Sequence, residues 1–410
     1  MTRRVVVTGM AGLTPLGSAW PAIRAAMAQG KTGTTYLTAW DEYSGLKTRL
    51  AAPVAYFDHE HAYPRKKLRS MGRVATMAVH AAEAALTQAR LLGHPALTSG
   101  RTGVAFGSSY GSTEPTRGFV RFLENGDSTG LSAMSYIKMM SHTAPINIAI
   151  YFGLKGRVIP TSSACTSGSQ AIGYAYESIA HGKADIMIAG GAEELCPTMA
   201  VVFDTLFATS CRNASPETVP RPFDRDRDGL VIGEGAAALI LEEREHALQR
   251  GATILAEITG FGTNTDGAHV TDPAPETMAQ ALLLALEDAA LPPSAIGFVS
   301  GHGTATRQGD AAESHATHRV FGSRIPLHSL KGYFGHTLGA CGAIEAWLTI
   351  EMMHGGQFAP NVNLTCPDPL CAELDYITGG FRAIDCEYTM SNNFAFGGVN
   401  TSLIFRKILR

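Results

Sequence analysis

The chain has 410 residues, of which 45% are hydrophobic and 17% charged, with a formal net charge of −3. That describes a compact protein with a large core, long enough for two domains or two fused halves, whose near-neutral balance provides no global field to recruit nucleic acid or a membrane surface. Seven cysteines without CxxC pairing read as reduced thiols of a cytoplasmic protein, and no run approaches the ~18–20 apolar residues that span a bilayer.

Arg3 and Arg4 precede an apolar run, as in a signal peptide. Thr8, Gly9, Gly12, Thr14 and Pro15 interrupt that run too early, so RVVVTG reads as a first strand and turn. A helix is expected near 19–29, then strands at TGVAFG (102–107), ADIMIAGGAEE (184–194) and AAALILEE (236–243). Segment 112–145 carries apolar residues without a clear period. The grammar then repeats with TILAEITGFG (253–262), a helix over 275–290, IGFVSGHG (296–303), a helix around 310–320 and a closing strand pair. Apolar strands alternating with helices imply an α/β protein with buried sheets.

Three segments carry chemistry. In TSSACTSGSQAIGYAYESIA (161–180), Cys165 follows small and hydroxylated residues and precedes a helical pattern. This predicts a strand turning sharply into a buried helix, with Cys165 near the helix N-terminus, where the dipole and free N–H groups would favour a thiolate. SGHGTATRQGDAAE (300–313) sets His302 between two glycines, which let a substrate approach the imidazole. LKGYFGHTLGACGAIEAW (330–347) sets Lys331 five residues before His336, then a small-residue turn and a helical pattern carrying Glu345. One cysteine with two histidines at strand-to-loop junctions points to covalent thiol chemistry with imidazole partners. No metal site is expected, because HExxH and paired CxxC spacings are absent.

With RRVVVTGMAGLTPLG (3–17), RPFDRDRDGLVIGEGAA (221–237) and SNNFAFGGVN (391–400), these motifs resemble, almost end to end, the β-ketoacyl-acyl carrier protein synthases of the condensing-enzyme (thiolase-like) superfamily, in its Cys-His-His branch. The resemblance implies a duplicated αβαβα five-layer fold, with the nucleophile in an N-terminal half (1–250) and both histidines and a gating loop in a C-terminal half (251–410). It implies decarboxylative condensation of an acyl group on Cys165 with malonyl-acyl carrier protein. His302 and His336 would act as N–H donors to the enolate, and the backbone N–H groups of Cys165 and Phe396 would hold the oxyanion. Lys331 would pair with Glu345. Thr304, Thr306 and Thr271 match contacts to the pantetheine arm, although Asp272 stands where a serine is common. FAFGG (394–398) matches the gating loop, with Ala395 in place of the usual glycine, and Tyr110 matches the floor of the acyl pocket.

The same resemblance implies an acyl carrier protein as partner, docked on basic residues. Candidates are Arg65, Lys66, Lys67 and Arg69, clustered with Arg73, and Arg212. Phosphopantetheine would arrive on that partner, with no cofactor bound by the chain itself. A homodimer is implied through the strand at 157–164, with a heterodimer with a paralogue as the alternative, and 112–145 would carry dimer contacts. Either fatty-acid synthesis or a specialised polyene or polyketide pathway fits, and Tyr110 with segment 108–145 tilts towards an aryl-polyene type. A thiolase-like acyltransferase using coenzyme A is the competing enzyme reading. GHTLGA around His336 and the lack of a second C-terminal cysteine motif oppose it, with Cys386 as the cysteine to check. A chain-length-setting partner subunit is opposed by intact Cys165, His302 and His336.

Overall fold

The computed structural model describes residues 2–408. Two sets of strands carry the architecture. The first comprises β1 (Val5–Leu13), β2 (Thr102–Gly107), β3 (Val158–Thr161), β4 (Ile186–Glu193) and β5 (Gly235–Glu243). The second comprises β6 (Ala256–Thr265), β7 (Ile296–Gly301), β8 (Pro326–Ser329), β9 (Tyr388–Ala395) and β10 (Val399–Lys407). Across the sheet the first set runs β3-β2-β4-β5-β1 and the second β8-β7-β9-β10-β6. In both, the first two interfaces are parallel and the next two antiparallel. Identical order and identical direction make the second set a repeat of the first, although no repeat is visible in the amino-acid sequence. An antiparallel contact from Val5–Ile258 to Val7–Ala256 joins β1 to β6, so that the sets share one sheet.

Five helices complete the layers: α1 (Arg73–Gln88), α2 (Ser167–Ala180), α3 (Pro275–Asp288), α4 (Arg307–Phe321) and α5 (Cys341–Gly355). α1 covers the outer face of the first set, α3 with α4 behind it covers the second, and α2 and α5 lie between the sets. The order is αβαβα, the five layers expected. α5 is apolar around almost its whole circumference, from Ile344 and Trp347 to Met352 and Met353, as a helix enclosed on every side must be. Small side chains set the spacing elsewhere: a Cβ on Gly9 of β1 would stand 2.2 Å from the Ala85 carbonyl of α1.

The duplication repeats the turn that carries chemistry. β3 leads through a 3₁₀ turn (Ala164–Thr166) into α2, and Leu338–Ala340 leads likewise into α5. Each turn begins with a left-handed residue, Ala164 at φ 51° and Leu338 at φ 47°, a conformation costing an L-residue roughly 1–2 kcal/mol. The turns touch because glycines let them. A Cβ on Gly191 would stand 2.4 Å from the Gly339 carbonyl oxygen, and one on Gly168 would stand 2.9 Å from it.

Segment 112–145 contains two helices, Thr116–Asn125 and Ala133–Met139, and the start of a third, Thr143–Phe152. The first two bury no residue, and Val120, Phe122, Leu123 and Tyr136 stand exposed. This explains why the segment shows no period matched to the core.

Gly191→Ala is expected to destabilise the fold by about 1–3 kcal/mol, the range for an overpacked interior, read as a lower denaturant midpoint. Gly355→Ala, where an added Cβ meets nothing within 4 Å, is expected to stay within about 0.5 kcal/mol of the parent.

Candidate active site

The two turns and the β7–α4 loop converge on a cavity of about 490 Å3 lined by Cys165, His302 and His336. All three side chains are buried. His336 Nε2 lies 2.9 Å from Cys165 Sγ, and the imidazole rings stand 5.2 Å apart and almost perpendicular. The backbone N–H of Leu338 donates to His336 Nδ1 at 3.3 Å. Asn393 Nδ2 approaches Glu345 Oε2 at 2.6 Å and His302 Nδ1 at 3.3 Å. Since a carboxylate only accepts, Nδ2 is the amide donor at both contacts. Each ring therefore carries its hydrogen on Nε2, and His336 donates to the sulfur. Burial, then the charge of Lys331, holds both imidazoles well below the usual histidine range, so both are neutral.

Lys331 is buried, with Nζ 2.5 Å from Glu345 Oε1. Burial alone would lower its pKa, but Cys341 and Glu345 outweigh that and keep it above the ordinary lysine value. The thiol departs from expectation. Burial pushes Cys165 up to about 12, against the lowering effects of Lys331 and of the backbone N–H groups of Phe396 and Cys165 that face the sulfur. Cys165 sits on the 3₁₀ turn before α2, and desolvation there exceeds what dipole and donors return.

Buried carboxylates hold the loops. Glu313 accepts the N–H groups of His302 and Gly303, both at 2.6 Å, and Asp310 those of Thr304 and Ala305 at 2.9 and 3.0 Å. Glu193 accepts from Ser109 N at 2.8 Å and Gly339 N at 3.0 Å, tying the end of β2 to the His336 turn. Burial raises all three, Glu193 to about 7, Asp310 to about 6 and Glu313 to about 8.

The chain matches the family profile of the β-ketoacyl synthase N-terminal domain over residues 2–247 and that of the C-terminal domain over 255–365. It is 36% identical to a 3-oxoacyl-[acyl-carrier-protein] synthase 2 of Vibrio cholerae, covering 99% of each chain. It superposes on the crystal structure of a β-ketoacyl synthase from Burkholderia phymatum with TM-score 0.98 and 59% identity, over 99% of this chain and all of that one. A type II polyketide ketosynthase, solved with its acyl-carrier protein and bound to a hexaketide, gives TM-score 0.88 and 32% identity, with 100% of both chains covered. The chain belongs to the β-ketoacyl synthase family.

Several of the expected site residues line this one cavity. Thr304 and Thr306 line its wall with hydroxyls 2.9 Å apart, and Thr271, Asp272 and Phe396 line it too. The Phe396 ring packs on Phe203 with centroids 5.0 Å apart. Two hydrogen bonds join the loops at the mouth, Gly397 N–H to Val270 O at 2.9 Å and Asp266 N–H to Gly398 O at 2.8 Å. Ala395 ends β9, opposite Val399.

Other residues lie elsewhere. Tyr110 is 40% exposed and lines a separate cavity of about 1450 Å3 together with Met71, Val120 and Lys138. Its hydroxyl is 3.3 Å from Thr116 Oγ1, and it does not line the Cys165 cavity. Arg65, Lys66, Lys67 and Arg69 are exposed on and just after the helix Arg65–Leu68, whose Leu68 lines that second cavity. Arg73 turns inward and makes a bidentate contact with Glu234 at 2.9 and 2.8 Å, because α1 buries the face on which it sits. Arg212 stands near the Cys165 cavity, with Nε 3.7 Å from Asp228, which lines it.

Two residues of the site were not singled out from sequence. Cys341 donates its thiol to the Cys165 carbonyl oxygen at 3.2 Å. Asn393 orients His302, and the only sequence signal was a pair of asparagines inside an apolar closing strand. Cys386 packs against Gly297, away from the cavity. Potential ligand atoms of Cys165, His302 and His336 lie within 4.8 Å of one another, as do those of His302, Cys341 and Glu345. Donors already occupy both Nδ1 atoms, leaving Nε2–H, the wrong tautomer for a metal in the first group. Lys331 occupies Glu345 in the second.

A thiol held near 12 predicts that alkylation of Cys165 by iodoacetamide, followed by peptide mass, accelerates about tenfold per pH unit from about pH 6 to about pH 9, since only the thiolate reacts. A rate that levels off below about pH 7 would mean that the thiolate already exists at rest.

Proposed function

We propose that this chain is an elongating ketosynthase, an acyltransferase that forms 3-oxoacyl-acyl carrier protein. The observation that carries the reading is a pair of neutral imidazoles, each with its hydrogen on Nε2, beside a buried cysteine in one cavity. Cys165 takes an acyl group from a carrier-protein phosphopantetheine thioester, and its proton leaves on the departing pantetheine thiol. Malonyl-carrier protein then binds. Loss of CO2 leaves an enolate whose oxygen accepts from His302 and His336. Those donors gain strength as charge develops, so they lower the barrier rather than only tightening binding. The enolate carbon attacks the Cys165 thioester, whose oxyanion lies between the N–H groups of Cys165 and Phe396. The tetrahedral intermediate collapses and expels Cys165 as the thiolate, which takes up one proton from water to return to the resting thiol.

Phosphopantetheine arrives on the partner, and the chain holds no cofactor of its own. Thr304, Thr306 and Thr271 line the path its arm would take, and Arg212, among the docking candidates, pairs with Asp228 of the same lining. Relatives from both fatty-acid and polyketide synthesis support either pathway, and an aryl-polyene substrate loses Tyr110 as its argument, because that ring lines a different cavity. Cys341 does not line the cavity, so a thiolase-like reaction lacks a second thiol at the substrate. No helix among the described residues is long and apolar enough to cross a membrane, which fits a cytoplasmic enzyme.

His302→Ala or His336→Ala is expected to preserve acylation of Cys165 while cutting decarboxylation of malonyl-carrier protein by about 10²-fold or more, the scale of a lost oxyanion donor. Intact mass and CO2 release measure the two steps separately. Normal decarboxylation with no acyl-enzyme would reverse the roles. Cys165→Ser is expected to abolish condensation.

A homodimer is part of the proposal. β3 is the edge of the sheet, with Val158 and Pro160 exposed, and the neighbouring 116–139 segment exposes Phe122, Leu123 and Tyr136. Bare apolar edges of this kind are normally covered. Sedimentation of the purified chain at micromolar concentration is expected to give twice the single-chain mass, and a single-chain mass would overturn the dimer.

A further inference from the structure

The segment from His302 to Arg307 runs from the cavity floor to its mouth. His302 and Thr304 are buried, Thr306 is half-buried and Arg307 is exposed, and all four line the same cavity. Arg307 is the only lysine or arginine in that lining among the described residues. Its backbone is held, because its carbonyl accepts from Arg227 at 2.7 Å. Among the described residues its guanidinium makes no hydrogen bond and no ion pair, and Asp368 feels its charge only at longer range. Nearby Asp368 is already committed to Arg227. Asp266, Asp228 and Asp272 also line the wall; Asp266 is engaged by Asn400 and Ala274, and Asp228 by Ser210 and Arg212.

A pantetheine arm has a matching order of groups. Its thioester reaches the nucleophile, its amides and hydroxyl follow, and its phosphate comes last. The wall offers imidazole, then the hydroxyls of Thr304 and Thr306, then a guanidinium. Gly309 keeps the wall close, since a Cβ there would stand 2.6 Å from Thr306 Oγ1.

We propose that Arg307 binds the phosphate of the phosphopantetheine arm at the mouth of the cavity. The inference rests on the reading that acyl groups arrive on such an arm. A phosphate entering a protein rim gives up part of its hydration, and a planar guanidinium replaces it with two parallel charge-assisted hydrogen bonds. The phosphate belongs to a carrier protein, and coenzyme A presents the same group, so both donors enter the test.

Acyl transfer to Cys165 is followed by intact mass with one acyl group on phosphopantetheine, pantetheine, carrier protein and coenzyme A. For the parent protein the phosphopantetheine thioester should react faster than the pantetheine thioester. Arg307→Ala should lower that ratio about tenfold or more, the scale of one lost charge-assisted contact, and Arg307→Lys should restore part of it. Of the two large donors, the one that loses more rate in Arg307→Ala is the source of the phosphate. A ratio that stays within twofold of the parent overturns the phosphate site alone. Loss with carrier protein but an unchanged ratio on the small thioesters also overturns it, making Arg307 a contact to the carrier surface. If the parent accepts acyl groups from none of the four donors, the reaction reading falls and this site falls with it.

Discussion

A buried ion pair, Lys331 with Glu345, sets the electrostatics of the whole site. Two charges removed from water are costly, and their attraction returns that cost only when their remaining hydrogen-bonding groups are satisfied. Glu345 meets the condition by taking the Asn393 amide on its second oxygen. That contact orients Asn393, and Asn393 in turn settles which nitrogen of His302 carries hydrogen. The ammonium acts at a distance as well. It opposes protonation of both histidines and pulls the Cys165 thiol down against burial. Burial, reinforced by this cation, keeps two imidazoles as neutral donors, and at the sulfur burial outweighs the cation and leaves the thiol protonated at rest.

A thiol near 12 beside an imidazole that donates to its sulfur is a nucleophile kept in reserve. Burial protects it from solvent oxidants and electrophiles, which attack the thiolate. The donors that face the sulfur are the same N–H groups that would hold an oxyanion, so a bound thioester and a developing thiolate compete for one preorganised set of dipoles. The arrangement therefore favours charge that forms during reaction over charge present beforehand.

Duplication supplies the geometry. The β3–α2 and β8–α5 connections repeat one strained turn, and the repeat brings the two turns into contact across glycines. One turn presents the cysteine and the other holds the His336 loop. Around them, backbone N–H groups find buried carboxylates rather than water: Glu193 bridges the halves, and Asp310 and Glu313 hold the His302 loop from within α4. Loops that carry catalytic groups are often mobile. Here their donors are tied at several points to rigid elements, which suits a site that needs its donors in place before charge appears.

The sequence by itself determined the alternation of strands and helices, the covalent role of Cys165 and the imidazoles that serve it, because local spacing encodes backbone direction and residue type. The family resemblance added Glu345 as the partner of Lys331, which the structure pairs, and singled out Thr304, Thr306 and Thr271, which line one cavity. Tertiary structure alone decided the ionisation of those groups. Desolvation and hydrogen-bond partners come from distant parts of the chain: the sulfur meets an imidazole 171 residues on, and His302 receives its orienting amide from 91 residues away. For the same reason Arg73 left the basic cluster for a buried glutamate 161 residues distant, Tyr110 lay on a different cavity, and Cys341 arrived beside the nucleophile without any local pattern to announce it. Position along a chain specifies what a side chain is, and packing specifies what surrounds it.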